Sequence, residues 1–177
     1  MRDPILIADA LALLSPEPRL VVLMCGVAGS GKTTFSQALA ARGFVRLSLD
    51  EEVWNTAGRY GLDYPPEAYD QAVAAARITI KTQLQAALAQ AQAVVVDSAF
   101  WSRTHREDFA AIVARGGGKH RIVYLKASED LLRSRIAGRS VRFDANAALP
   151  IDEATIVRFL ASFQEPQADE DALLVAA

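Results

Sequence analysis

An α/β fold, a parallel sheet with helices on both faces, is predicted by three features of this sequence. Apolar runs of strand length recur at Leu20–Cys25, 93–96 and 121–125. Longer segments with helical spacing of apolar residues separate them, the pattern that produces right-handed crossovers between parallel strands. A glycine-rich turn over 26–33 joins the first run to the first helical segment.

The elements follow in order. The run 5–14, interrupted by Asp9 and lacking a basic leader, reads as a short amphipathic helix in an N-terminal extension over 1–19. Leu20–Cys25 is the first strand, and 34–42 is a helix carrying Phe35, Ala38, Leu39 and Ala41 that Gly43 ends. A second strand over 44–49 delivers Asp50 to its tip. The stretch 51–66 mixes Trp54, Tyr60 and Tyr64 with Gly58, Gly61 and two prolines, and reads as a partly irregular excursion. A long helix over 67–91 carries Val73, Ala76, Ile80 and Leu84 on one face. Residues 93–96 form a third strand tipped by Asp97, and the spacing from Thr104 to Glu107 is that of a capping box opening the next helix. A fourth strand over 121–125, helices over 128–139 and 152–163, and a short strand over 172–175 complete the chain.

The bulk properties bound the function. At 177 residues and 51% hydrophobic, the chain supports one buried core, so a single domain over 1–177 is expected. A net charge of -2 gives no global attraction to nucleic acid, so a polyanion contact must be local. The basic residues are 15 Arg against 4 Lys, and the planar guanidinium suits bidentate phosphate recognition. The one cysteine, Cys25, lies in an apolar strand, which suits an inert thiol and a reducing cytoplasmic setting. No run is long enough to span a bilayer, and two histidines with one cysteine make a zinc site improbable.

The turn Gly26-Val27-Ala28-Gly29-Ser30-Gly31-Lys32-Thr33 is a complete phosphate-binding P-loop, followed by Thr34 at the head of a helix. Glycines let the backbone wrap a polyphosphate and aim successive N–H groups inward, at the positive end of that helix. Lys32 is then expected to reach the β- and γ-phosphates, and the Thr33 hydroxyl to ligate Mg²⁺.

Asp50 and Asp97 converge on the same carboxyl edge of the sheet, where ligands bind in such folds. Asp97, after four apolar residues, is placed either to hold Mg²⁺ through water or simply to begin a loop. Asp50 is placed to take a proton from an attacking hydroxyl, to cap a helix beginning at Glu51, or both. Arg133, Arg135, Arg139 and Arg142 fall within ten residues, of which 135, 139 and 142 share a helical face. That face either closes over ATP and stabilises the transferred phosphoryl group or is solvated surface, with Arg139 and Arg142 in a lid region over 133–148. Trp54 and Trp101 each follow a candidate carboxylate by four residues, positions that suit an acceptor pocket or rim packing. Arg103 stands beside the Asp97 loop, within reach of an anionic substrate.

With these motifs the chain resembles the small P-loop kinases that include polynucleotide 5′-hydroxyl kinases, zeta-type toxins and chloramphenicol phosphotransferase. The resemblance rests on 26–33, Leu47-Ser48-Leu49-Asp50-Glu51, Val94-Val95-Val96-Asp97-Ser98, the arginine-bearing lid, Leu149-Pro150-Ile151-Asp152 and Phe163-Gln164-Glu165-Pro166. It implies a three-layer P-loop NTPase fold with a five-stranded parallel sheet ordered 2-3-1-4-5, ATP with Mg²⁺, and phosphoryl transfer to a hydroxyl. Polynucleotide kinases carry an arginine three residues after the base Asp to hold the substrate phosphate; here that position is Val53. Arg59 or Arg103 is left to substitute, and a small-molecule acceptor is favoured over a nucleic-acid end. The competing readings are a polynucleotide 5′-hydroxyl kinase and an ATPase or switch acting on a protein partner.

Overall fold

The side-chain alternation of β2 (Leu20–Cys25) explains the layering. Val21, Leu23 and Cys25 point to one face of the sheet and Val22 and Met24 to the other, and all five are buried. A strand buried on both faces belongs at the centre of a parallel sheet. One face is covered by α4 (Tyr69–Ala89) and α5 (Arg103–Arg115) through Ile80, Leu84, Phe109 and Val113. The other is covered by α1 (Ile7–Ala12) and α2 (Lys32–Ala40) through Ala10, Phe35 and Leu39. The computed structural model describes residues 3–139, 144–145 and 151–177.

The described strands are all parallel: β4 (Val94–Asp97) and β5 (Lys119–Lys126) flank β2, β3 (Val45–Ser48) pairs with β4, and β6 (Leu173–Ala176) with β5. Among the described residues the sheet has six strands, ordered β1 (Ile5–Leu6)-β6-β5-β2-β4-β3, in place of the expected five ordered 2-3-1-4-5. The addition is β1 (Ile5–Leu6), which pairs with β6 at the edge in the register Ile5↔Val175. The sequence read 5–14 as one helix because two residues are too few for a strand period to show. Pairing with a strand some 170 positions away is a tertiary event.

Two further expectations are corrected. The stretch 51–66 is helical at its start, since α3 (Leu49–Ala57) runs from the Ser48 cap to Gly58, whose φ is 87°. The breakers Gly58, Gly61 and the prolines lie beyond that helix. Asp50, Glu51 and Glu52 occupy its first turn, where the helix dipole favours negative charge. The cap is the Ser48 hydroxyl, which accepts from the Glu51 N–H, so Asp50 is not the cap residue. Likewise α5 begins at Arg103, one residue before Thr104, because Ser102 caps it by accepting from the His105 N–H. The remaining helices are α6 (Glu129–Arg139) and α7 (Glu153–Ser162), the latter capped by Asp152. No helix among the described residues is long and apolar enough to cross a membrane.

Candidate functional site

The turn after β2 has the backbone of a phosphate cradle. Gly26, Gly29 and Gly31 all have positive φ, and a β-carbon on Gly26 would lie 2.7 Å from Ser30 Oγ and 2.8 Å from the Leu125 carbonyl oxygen. The carbonyl belongs to β5 and cannot swing aside. Gly26→Ala is therefore expected to destabilise the fold by about 1–3 kcal/mol, read as a lowered Tm in a thermal denaturation scan.

Within the loop, Lys32 opens α2 and donates to the Val27 carbonyl at 2.8 Å. Ser30 is buried, and among the described residues nothing hydrogen-bonds its hydroxyl. An orphaned buried hydroxyl costs about 1–3 kcal/mol, so it belongs where a ligand supplies the partner. Arg135 of α6 donates to the Gly29 carbonyl at 3.2 Å and brings a guanidinium onto the loop. Arg133 turns elsewhere, pairing with Glu129 and Glu153. The side chain of Arg139, the last residue of α6, and the whole of Arg142 lie outside the described residues.

The Asp97 loop is bound to the cradle. The Gly26 N–H donates to the Ala99 carbonyl at 3.1 Å, and the Cys25 thiol to that of Phe100 at 3.5 Å. Burial pushes the Cys25 thiol up to about 12, so it stays protonated and inert. Phe100 has a φ of 42°, an unfavourable region for a bulky residue. It is held there by its ring, edge-on to Phe109 at 4.9 Å, and by Arg106, which donates to its carbonyl at 3.0 Å. The consequence is that Phe100 plunges into the core while Trp101 stays 42% exposed at the cleft, edge-on to His105.

Asp97 itself belongs to an ionic cluster. Its Oδ2 accepts from Arg46 at 2.6 Å and from Ser36 at 2.9 Å, and Arg46 also donates to both oxygens of Glu51 at 2.8 Å. Arg46 was not singled out from sequence. The available signal was a charge inside an otherwise apolar strand, which must find partners when buried. Among the described residues nothing hydrogen-bonds Asp97 Oδ1. Asp97 and Thr33 line one cleft, a carboxylate and a hydroxyl whose chemistry fits magnesium, which takes one or two protein groups and keeps phosphates and waters for the rest.

That cleft has a volume of about 1540 Å³, more than the 300–1,000 Å³ of an ordinary small-molecule site, and accommodates a nucleotide with a second ligand. The loop from Val27 to Thr34 lines it. Asp50, in the first turn of α3, lines it too, with Trp54 and Trp101. Tyr60, Tyr64 and Tyr69 extend this wall, with Tyr60 edge-on to Tyr64 at 6.0 Å and to Tyr69 at 5.6 Å. Thus Lys32, Thr33, Asp50, Asp97, Trp54, Trp101 and Arg135 are brought together. Arg59 and Arg103 are not among the lining residues. Arg59 pairs with Asp63, and Arg103 with Glu107 and Asp169.

A P-loop on a parallel sheet, opening into a cleft with carboxylates from the neighbouring strand ends, defines a P-loop kinase-like protein. The AAA_33 family model, described as an AAA domain, matches residues 21–166, and the chain belongs to that family. Comparison with curated proteins found no match. Among solved structures, the chain is similar to a kinase candidate from Chloroflexus aurantiacus, with 21% identity and a TM-score of 0.70 over 89% of this chain and 87% of that one. It is also similar to a gluconokinase from Sinorhizobium meliloti, with 21% identity and a TM-score of 0.59 over 90% and 83%. Chaetomium thermophilum Kti12, in complex with ADP-AlF3, matches with 14% identity and a TM-score of 0.57 over 89% and 88%. At these identities the likeness establishes the fold.

Proposed function

We propose that the protein is an ATP- and magnesium-dependent phosphotransferase that moves the γ-phosphoryl group to a hydroxyl of a small-molecule acceptor. The observation that carries this reading is the shared cleft, which the P-loop, Asp50, Trp54 and Trp101 all line. The loop amides and Lys32 bind the triphosphate, and the Ser30 hydroxyl gains the partner it lacks among the described residues. Thr33 and, through water, Asp97 hold magnesium, which when bound neutralises charge on the β- and γ-phosphates. Asp50 accepts the proton of the acceptor hydroxyl as its oxygen attacks the γ-phosphorus and the bond to the β-γ bridging oxygen breaks. Arg135, with Arg139 and Arg142 of the lid, offsets charge on the transferred group. The chemistry is then mostly positioning and charge stabilisation.

The test is transfer of labelled phosphate from ATP to a panel of sugars, hydroxy acids, nucleosides, antibiotics and 5′-hydroxyl oligonucleotides. Asp50→Asn is expected to retain ATP binding while lowering transfer on the order of 10²-fold, the contribution of one positioned base. Undiminished transfer by that variant removes Asp50 as the base. Labelling confined to oligonucleotides would make the acceptor a nucleic-acid end, and ATP turnover stimulated by a protein but by no hydroxyl compound would make the chain an ATPase.

A further inference from the structure

The cleft that Asp50 lines also holds a cation with no carboxylate partner among the described residues. Arg77 lies on α4, half-buried, in the stripe Tyr69, Asp70, Val73 and Arg77 that faces the cleft at helical spacing. Among the described residues it makes no hydrogen bond and no ion pair. The other arginines near this wall are engaged: Arg46 with Asp97 and Glu51, Arg59 with Asp63, Arg103 with Glu107 and Asp169, and Arg106 with Glu170. The neighbouring Lys81 faces Asp108 at 3.6 Å. Across the cleft, Arg158 of α7 stands over the Phe159 ring.

Arg77 also borders a small cavity of about 10 Å³ lined by Leu49, Ser98, His105 and Phe109. That space holds no more than one water, so an anion meets the guanidinium from the cleft side. His105 does not share the task. Burial, and after it the charge of Arg77, holds its imidazole below the ordinary value, and it is neutral at neutral pH. A half-buried guanidinium with no protein partner among the described residues has its donors available to a ligand, and its fork suits a carboxylate or a phosphate. Glu67 and Asp70, which line the same cleft, are exposed, so solvent and salt screen their charge from an anion at Arg77.

We infer that the acceptor is a hydroxy compound bearing an anionic group, which Arg77 binds while the reacting hydroxyl lies at Asp50. This rests on the phosphotransferase reading above but is separable from it, because it is read by binding alone. The experiment is calorimetric titration of the full chain, loaded with a non-hydrolysable ATP analogue, with D-gluconate, a nucleoside 3′-monophosphate, and their neutral counterparts sorbitol and the nucleoside. The two anions separate a carboxylate from a phosphate as the recognised group. At least one anion is expected to bind more tightly than its neutral counterpart. Arg77→Ala should weaken it roughly ten- to a hundredfold, the size of a charge-assisted hydrogen-bond pair, and Arg77→Lys should restore part of the loss. Circular dichroism of both variants checks that they fold. Failure of both anions to bind the wild type, equal binding of neutral counterparts, or anion affinity unchanged in a folded Arg77→Ala overturns the inference. Anion binding that depends on Arg77, with no phosphoryl transfer to any acceptor, overturns the phosphotransferase reading and leaves the anion site standing.

Discussion

Lys32→Ala should abolish phosphoryl transfer, lowering it by roughly 10³-fold or more, while leaving the fold intact. Lys32 sits at the first position of α2, and its ammonium lies over the loop, on the Val27 carbonyl at 2.8 Å. It is partly exposed, so losing that bond costs about 1 kcal/mol at most and shifts Tm by only a few degrees. The catalytic cost is larger because no other lysine lines this end of the cleft among the described residues. A single preorganised donor to a developing charge is worth about 10²–10³-fold, and a full positive charge lies at or above the top of that range. Label transfer and a denaturation scan on the same preparation check both halves. Transfer retained within tenfold would mean that the P-loop does not organise the reaction.

Glu170→Gln is expected to destabilise the protein by about 3 kcal/mol, lowering Tm by roughly 6–12 °C in a calorimetric scan. Arg106 and Glu170 form a buried pair, 1% and 7% exposed, with Nε–Oε2 at 2.6 Å and a second bond at 2.9 Å. Arg106 also donates to the carbonyls of Phe100 and Gln164, so it joins the strained loop behind Trp101 to the C-terminal segment. Neutralising Glu170 leaves an uncompensated buried guanidinium, which costs more than the pair itself contributes. The pair also sets an acid limit. Burial, the largest single influence, opposes the charge on Glu170, but the Arg106 bond, the Gln167 N–H and the charges of Arg106 and Arg103 together outweigh it and hold the carboxyl below its ordinary value of 4.5. A lowered folded-state value means that the contribution is complete above about pH 4.5 and is lost as pH falls through the lower, folded value. Glu165 and Asp169 of the same segment are held low by Lys126 and Arg103, so the C-terminal segment should loosen first in acid. Amide exchange at pH 3.5 against pH 7 checks this, and protection lost uniformly across the fold would refute it.

The P-loop was legible because its function lies in local backbone geometry. Three glycines at fixed offsets, a preceding apolar strand and a following helix specify the cradle within a single segment. Asp50 and Asp97 were legible because a carboxylate following an apolar strand is placed at the sheet's carboxyl edge whatever the rest of the chain does. The arginines were not. Arg46 finds Asp97 51 residues away and Arg106 finds Glu170 64 residues away, and Arg59 and Arg103, which sequence offered as substrate contacts, are held by carboxylates outside the cleft lining.

The sequence by itself determined a parallel α/β sheet, a phosphate-binding loop and two carboxylates on one edge, since these follow from short-range periodicity and turn chemistry. Only the tertiary structure decided that β1 adds a sixth strand, that Phe100 is forced into a left-handed turn beneath Trp101, and that Arg77 lines one cleft with Asp50. A guanidinium on a long side chain meets whatever charge the crossovers bring near it, and that encounter has no period along the chain.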